Sequence, residues 1–513
     1  MECYEQKLIA HAYLGDEDSF YIVVTNNDLC LNSSEDFSQN ISVLETDKYI
    51  CEQATARATR IYGDMMPDSV SKRLNTELSY ITQNRFSPVL VLSQFVIKYA
   101  HENGQLTSSR GLIGSSFVAF LLGITNVNPL LPHYYCSDCK HTEFTSDNSV
   151  YSGYDLLPKE CPVCGNKMIS DGHNIPFETF MRFNGDKLPN IKISVPICFK
   201  NNILEYVSAL LGQDCVLTKN ANLYTRKPKV NDKCNGEFLG FIPLEVLTRL
   251  ETYTGIATNW IDISDPKIFE LFVNSRSIGI DSDKLATLGL PEYNAKFVRD
   301  IIKLTKPTNF GDIVRISNLS HGTDVWIENA ELLLKDNICD FRDLPTARED
   351  VYNYLISRGM ESTMALKITD AVRKGDFERK GFNKEPKIVE YLVTHNIPSW
   401  YVDSLCKVRY MFPKAHSVEN VKIALTLAWY KIYHPVEFYV ANFNTYYSDI
   451  RFKFSAIEPN SLQIIPDLHG FDEDEMALFR ECIDRGIVFE RNNDASECSD
   501  PYSIGDGKIL VNY

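Results

Sequence analysis

Between Asp68 and Tyr80 the apolar residues Val70, Leu74 and Leu78 recur four apart, the spacing of one helix face, and Pro67 with Asp68 supplies a start signal. Phe95 to Ala100 reads as the end of a second helix, closed by Asn103-Gly104, a pair suited to a left-handed cap. A turn from Ser108 to Gly111 follows, then the small and apolar run Ser115 to Leu122. Phe177 to Lys200 alternates polar and apolar residues and predicts sheet, with Ile191, Ile193 and Val195 on one side. From about Leu247 the spacing becomes helical. Thr346-Ala347-Arg348-Glu349 matches a capping box, Arg358-Gly359 gives a stop, and Met364 to Lys374 predicts another helix ended by Gly375. The pattern predicts a mixed α/β first half and a mainly helical second half, with no internal repeat and no low-complexity segment.

Composition changes this picture little. With 513 residues, 44% hydrophobic and 23% charged, the chain is ordinary globular material, long enough for two to four domains. The start, Met1 to Asp16, carries Glu2, Glu5 and Lys7 and reads as no signal peptide. The longest apolar stretch, Leu112 to Ile124, is too short to span a bilayer, so the expectation is a soluble cytoplasmic protein without a membrane partner. A net charge of -16 argues against a simple nucleic-acid coat, although a local basic groove stays compatible with it. From Ile457 to Tyr513 thirteen acidic side chains face four basic ones, and that acidic segment should avoid phosphates.

Four of the fourteen cysteines stand out. Cys136-x2-Cys139 and Cys161-x2-Cys164 are two knuckles, each able to present two thiolates to one tetrahedral ion, with Pro162 and Gly165 suited to the tight turn. Four sulfurs leave no open coordination position, so a Zn²⁺ there is structural. His133 and His141 lie close enough in sequence to replace one cysteine, though each reads more simply as an ordinary surface histidine.

Three longer runs carry a family likeness. The first is Ser109-Arg110-Gly111 with Gly114-Ser115-Ser116, leading through Pro132-His133-Tyr134 into the cysteines. The second is Asp171-Gly172-His173-Asn174-Ile175-Pro176-Phe177 with Gly185-Asp186-Lys187. The third is Leu319-Ser320-His321-Gly322-Thr323-Asp324-Val325-Trp326, then Tyr410-Met411-Phe412-Pro413-Lys414-Ala415-His416. In order and spacing they resemble PolC-type bacterial DNA polymerase III alpha subunits, from just before the palm into the fingers, over most of residues 1 to about 445. The likeness implies a nucleotidyltransferase-like palm with an embedded four-Cys zinc site, followed by a mainly α-helical fingers-like domain. It divides the chain into a pre-palm remnant (1–60), a palm (61–256) with the zinc site at 135–170, a fingers-like domain (257–450) and the acidic segment (451–513). It also implies a triphosphate-holding turn at a helix N-terminus, which falls on Ser109, Arg110, Gly111 and Ser115. Ser108 and Leu112 depart from that turn.

The departure that matters most lies in the catalytic strand. Polymerases of this kind use two metal ions, and an Asp-x-Asp strand holds them because residues i and i+2 share a face. Here the matching positions are Asn190 and Lys192, a change from a formal -2 to +1, and the third family carboxylate falls at Glu237. An ammonium repels Mg²⁺. The thumb region between Val195 and Glu237 is cut to about forty residues, and the exonuclease and phosphoesterase regions of the family have no counterpart in the sequence. Proofreading is therefore not expected. In the helical half, Lys407, Arg409, Lys414 and His416, with Tyr410 and Phe412, combine cations and aromatics suited to DNA contact. Arg373, Lys374, Arg379, Lys380, Lys384 and Lys387 form a second basic stretch. Glu475-Met476-Ala477-Leu478-Phe479 faintly resembles a sliding-clamp peptide but reads better as one face of a helix from Glu473 to Arg485. The reading is thus a catalytically inactive relative that binds DNA, nucleotide or replisome proteins. The alternatives are an active polymerase with relocated metal ligands, which would need Mg²⁺, and a structural zinc protein that binds only proteins.

Overall fold

A computed structural model describes residues 43–513, apart from 146–149, 182–190, 212–233, 382–385, 449–452, 457–461, 470–475, 493–499 and 513, together with strand segments between 8 and 41. The chain divides into two compact units that alternate along the sequence, Met1–Phe241 with Phe310–Val421 and Ile242–Asn309 with Lys422–Tyr513. The boundaries expected near 256 and 450 both fall inside the second unit.

In the first unit, β1 (Leu8–Ile9), β2 (Ala12–Tyr13) and β3 (Ser19–Val24) precede a small pair, β4 (Leu29–Cys30) with β5 (Asn40–Ile41). β6 (Ser108–Arg110) comes next, and β7 (His133–Tyr135), β8 (Thr142–Phe144) and β9 (Ile169–Asp171) form a separate antiparallel sheet in the order β8-β7-β9. β10 (Ile191–Val195) and β11 (Cys234–Gly240) complete the main sheet, whose order is β1-β3-β11-β10-β6 with β2 also on β3. β10 and β11 run parallel, the arrangement that requires a long connection, and the helix Lys200–Leu211 lies in it.

The helices α1 (Val43–Tyr62), α2 (Asp68–Gln83), α3 (Ser87–Glu102) and α4 (Phe117–Leu121) bury their apolar faces in one core with the main sheet. In α2 the buried apolar positions are Val70, Leu74, Leu78 and Ile81, the face its spacing predicts, with Glu77 buried among them. α3 starts with Pro88 in its first turn and ends at Asn103-Gly104, where Gly104 has φ +68° and the Gln105 N–H reaches back to the Ala100 carbonyl at 2.9 Å.

Two local expectations are corrected. Among the described residues of the Phe177–Lys200 stretch only Ile191–Val195 is strand; Glu178–Met181 is helical, and Ile197–Phe199 is a 3₁₀ turn. Pro196 lacks an N–H, so the ladder stops before it. The helix Arg348–Ser357 begins one residue later than the Thr346 box requires, and Asp350, not Glu349, accepts from the Ala347 N–H at 2.9 Å. The later stops hold, with Gly359 at φ +82° and Gly375 at +66°.

The second unit contains a sheet that the sequence reading missed. β12 (Lys453–Ala456), β13 (Gln463–Asp467), β14 (Phe489–Arg491), β15 (Tyr502–Gly505) and β16 (Lys508–Val511) pair in the order β12-β13-β14-β16-β15. The described residues of the acidic segment are therefore folded. Met476, Leu478 and Phe479 are buried, and Phe479 stacks on Phe443 with ring centroids 3.8 Å apart. This is the core-helix reading of that segment, although the helix covers only Ala477–Asp484 and Glu475 lies outside the described residues.

Candidate functional site

The main sheet brings the polymerase-like positions into register. Lys192 on β10 is paired with Arg110 on β6 and with Glu237 on β11, so the three positions form one row across three strands. Ile191, Ile193 and Val195 point to the opposite face and are buried. Asn190 lies outside the described residues. The two-metal arrangement that the resemblance implies does not fit this row, because the ammonium of Lys192 stands in its centre with the guanidinium of Arg110 beside it.

The nucleotide turn is built differently from expectation. Ser109 and Arg110 are on a strand, and only Gly111, with φ +75°, makes the turn. Ser109 is buried; its hydroxyl donates to Thr125 Oγ1 at 2.7 Å and its N–H to Glu419 Oε1 at 3.3 Å. Ser115 is buried too, with no hydrogen-bond partner for its hydroxyl. The N-terminus of α4 is already occupied by the protein's own anion. The Glu77 carboxylate accepts from the Ser116 hydroxyl at 2.8 Å and from the Phe117 and Val118 N–H groups at 3.0 and 3.1 Å, and pairs with Arg73 at 2.5 Å. While this carboxylate holds them, those donors are not open to a phosphate.

Over the row lies a pocket of about 300 Å³. Arg110 and Lys192 form one side, Arg348 and Arg373 come from two helices, and Tyr410, Phe412 and His416 add an aromatic wall. Arg348 is also held by Glu349 at 2.7 Å and Arg373 lies 3.7 Å from Asp370. Burial, reinforced by Arg110, His321 and Lys192, pushes the His416 imidazolium well below the usual histidine range. Arg348 escaped the sequence reading because a cation at a helix start signals nothing until the partner strands are placed beside it.

The four residues expected to touch DNA do not share one surface. Lys407 and Arg409 are exposed, with Lys407 Nζ donating to the Glu328 carbonyl at 2.9 Å and Arg409 pairing with Asp324 and Glu378 at 3.1 and 3.2 Å. His416 lines the pocket. Lys414 is buried over the Tyr151 ring, 3.4 Å from its centroid, with Arg315 also against that ring at 3.9 Å. Its ammonium faces inward, and burial lowers its pKa to about 8. Of the second basic stretch, Arg379 pairs with Asp376 at 2.7 Å, and 382–385 lie outside the described residues.

The cysteine module keeps a complete donor set. Cys136, Cys139, Cys161 and Cys164 place their sulfurs within 4.8 Å of one another, with Cys136–Cys164 and Cys139–Cys161 each at 3.4 Å. A tetrahedral ion with sulfurs at ~2.3 Å needs them about 3.8 Å apart, so the four sulfurs could hold a metal ion. The two knuckles repeat one geometry. Lys140 N–H reaches Cys136 O at 3.1 Å and Gly165 N–H reaches Cys161 O at 2.8 Å, while Cys136 N–H and Cys161 N–H reach His141 O and Asn166 O at 2.9 and 2.8 Å. Lys140 and Gly165, each following the second cysteine, both have left-handed backbone, φ +65° and +78°. The N–H groups of Cys139 and Asp138 hold the Cys136 thiol down at about 6. His133 takes no part, and the surface position expected for it is corrected: it is buried between Tyr62 Oη at 3.1 Å and the Leu131 carbonyl at 2.7 Å, while His141 pairs with Glu143 at 2.9 Å.

Comparison with known proteins agrees with this geometry. Residues 48–252 match the family model of the bacterial DNA polymerase III alpha NTPase domain, and residues 244–390 match that of the alpha subunit finger domain. The DNA polymerase III PolC-type of Bacillus subtilis (strain 168) is 34% identical over 527 residues, covering 86% of this chain and 36% of that protein. The PolC-type enzyme of Staphylococcus aureus (strain MW2) is 33% identical over 530 residues, 85% of this chain and 36% of its own length. That of Halalkalibacterium halodurans is 31% identical over 587 residues, 95% of this chain and 40% of its own length. The chain therefore spans little more than a third of these relatives. It belongs to the PolC-type bacterial DNA polymerase III alpha family.

Proposed function

From this membership we propose that the chain is a polymerase relative that no longer polymerises DNA and acts as a binding partner of DNA or replisome proteins in the cytoplasm. The observation that carries the reading is the row Arg110-Lys192-Glu237, in which a cation stands where a metal-binding carboxylate is required. Relocated metal ligands find little support. Asp171 is 8% exposed and committed to Asn128 at 2.9 Å and to the Gly172 N–H at 2.8 Å. Asp186 lies outside the described residues.

The cysteine module, on this reading, takes one Zn²⁺ and is structural, because four thiolates close the coordination sphere. No helix among the described residues is long and apolar enough to cross a membrane. The DNA-facing cations of this reading are Lys407 and Arg409, both exposed. Their contribution would be weak and would fall steeply as salt rises.

Primer extension tests the proposal. Purified protein is given Mg²⁺ or Mn²⁺, a primed template and all four deoxynucleotides, beside a variant carrying Asn190→Asp and Lys192→Asp. The unmodified chain is expected to extend nothing. Extension by it would sink the proposal. Activity gained by the double variant alone would identify the two positions as the main defect. A DNA-binding titration against salt separates this reading from a zinc protein that touches only proteins, for which no salt-dependent affinity is expected.

A further inference from the structure

The second unit holds a pocket of its own, about 410 Å³ and lying wholly within that unit. Its walls are the start of the helix Lys296–Thr305, one side of the helix Pro435–Tyr446 and the first turn of the helix Ala477–Asp484. A buried ionic network holds these walls in place. Lys431 Nζ donates to the carbonyls of Ala286 and Leu288 at 2.8 and 2.7 Å and pairs with Glu481 at 2.6 Å. Tyr439 Oη donates to the same carboxylate at 2.8 Å. Gly289, next to Leu288, is packed so closely that a Cβ would meet Phe438 Cζ at 2.7 Å. The pocket is therefore preformed, as small-molecule sites usually are.

Two kinds of group in this pocket want partners. The helix Lys296–Thr305 starts from Ala295, which has no capping side chain, and the first-turn N–H groups of Lys296, Phe297 and Val298 meet no acceptor among the described residues. Asn442, 1% exposed, also lines the pocket. Its Nδ2 donates to the Phe438 carbonyl at 2.8 Å, and that carbonyl fixes which end of the amide is which. Its Oδ1 accepts from nothing, and a buried amide oxygen left unpaired calls for an explanation. Of the two cations in the lining, Lys296 is paired with Asp300 at 2.8 Å, whereas Arg299 has no carboxylate within ion-pair distance among the described residues. A helix start beside a guanidinium suits the oxygens of a tetrahedral anion, and a buried lone acceptor suits a donor. One ligand meets both needs if it carries a phosphate together with a hydroxyl or N–H.

We infer that this pocket binds a small phosphate monoester, its phosphate on the N-terminus of the helix Lys296–Thr305 and on Arg299, and a hydroxyl or N–H of the ligand on Asn442 Oδ1. Tyr446, 46% exposed, offers its ring to the rest of the ligand. The site shares no residue with the β6-β10-β11 row, so it stands or falls apart from the loss of polymerisation.

Calorimetric titration of the full chain with glycerol 3-phosphate, AMP, inorganic phosphate, glycerate and glycerol tests the inference. The two esters are expected to bind about tenfold or more tightly than inorganic phosphate, and glycerol not at all. Arg299→Met should weaken esters and inorganic phosphate alike by about tenfold, the usual cost of losing a charge-assisted contact. Asn442→Leu should weaken the esters by about five- to tenfold and leave inorganic phosphate unchanged. Its melting temperature should stay level or rise, because the oxygen it removes has no partner. Should Asn442→Leu fail to fold, Arg299→Met, at a half-buried helix position, still decides the matter. AMP binding tighter than glycerol 3-phosphate assigns the site to nucleotides with a base on Tyr446; equal or weaker binding assigns it to polyol and sugar phosphates, and either result upholds the inference. No binding of either ester, glycerate binding as tightly as glycerol 3-phosphate, or ester affinity untouched by the variants would overturn it. So would an Asn442→Leu chain that melts earlier yet binds the esters as before.

Discussion

The cysteine module and the β6-β10-β11 row lie in the same unit, and the family likeness assigns a metal to each. In the module all four donors are present and their backbone turns repeat one another. In the row the central donor position holds an ammonium. The difference follows from what each metal does. An ion inside a closed thiolate shell supplies folding free energy, so a chain that loses a donor loses the local structure. Ions that act on substrate hold no part of the core, and a lysine can take their place while the sheet stays paired. A folded palm is thus no sign of a working one.

Four measurements break or sharpen this contrast. The largest effect is expected from Cys136→Ser or from treatment with a chelator. Since structural zinc is worth ~10–16 kcal/mol in small finger peptides, a loss of about 5 kcal/mol or more is expected here, read as a fall in melting temperature. Elemental analysis should find one zinc per chain, and a melting curve indifferent to chelator would remove the metal from the account. Next comes Glu77→Gln, which leaves Arg73 facing a neutral group and strips the α4 terminus of its anion; by analogy with broken buried pairs the loss is about 3–5 kcal/mol in denaturant unfolding. A change below ~1 kcal/mol would mean that water replaces the carboxylate.

The two lysines offer a finer contrast, one packed and one in an open pocket. Lys414 titrates at about 8 in the folded chain against 10.5 when solvated. The unfolded chain therefore holds the proton longer, and stability should rise between those two values and be flat in this respect below them. The rise is on the order of 3 kcal/mol at most, and Lys414→Met should abolish it in urea midpoints taken from pH 7 to 10. Lys192→Asp should shift the same midpoint by less than about 1 kcal/mol at pH 7, because the side chain is only part-buried. A much larger loss would show that the row is a structural element after all.

Much of this was legible beforehand where the signal was local. The periodicity of α2, the Asn103-Gly104 cap and the paired cysteines each lie within a few residues, and each appears in the structure as read. The misreadings share a different cause. β6 is three residues long and is a strand only because β10 pairs with it from 80 residues away. Lys414 looked like a DNA contact because nothing near it in sequence announces Tyr151. The β12–β16 sheet is built of short strands in an acidic stretch, where the charge balance masked the alternation. Glu77, the residue that fills the α4 terminus, sits on a helix forty residues earlier and had no local signal at all.

The hydrogen bond from the Ser109 N–H to Glu419 has a consequence for how the protein is made. Its partners are 310 residues apart, and Lys414 meets Tyr151 across 263. At a translation rate of roughly 5–20 residues per second, β6 must wait about 15 to 60 seconds for the residue that completes its surroundings. The cysteine knuckles, whose outermost members Cys136 and Cys164 are only 28 positions apart, can close within the first seconds after they leave the ribosome. The two knuckles should therefore meet early during synthesis, and the pocket lined by both Arg110 and His416 should be among the last features of its unit to form.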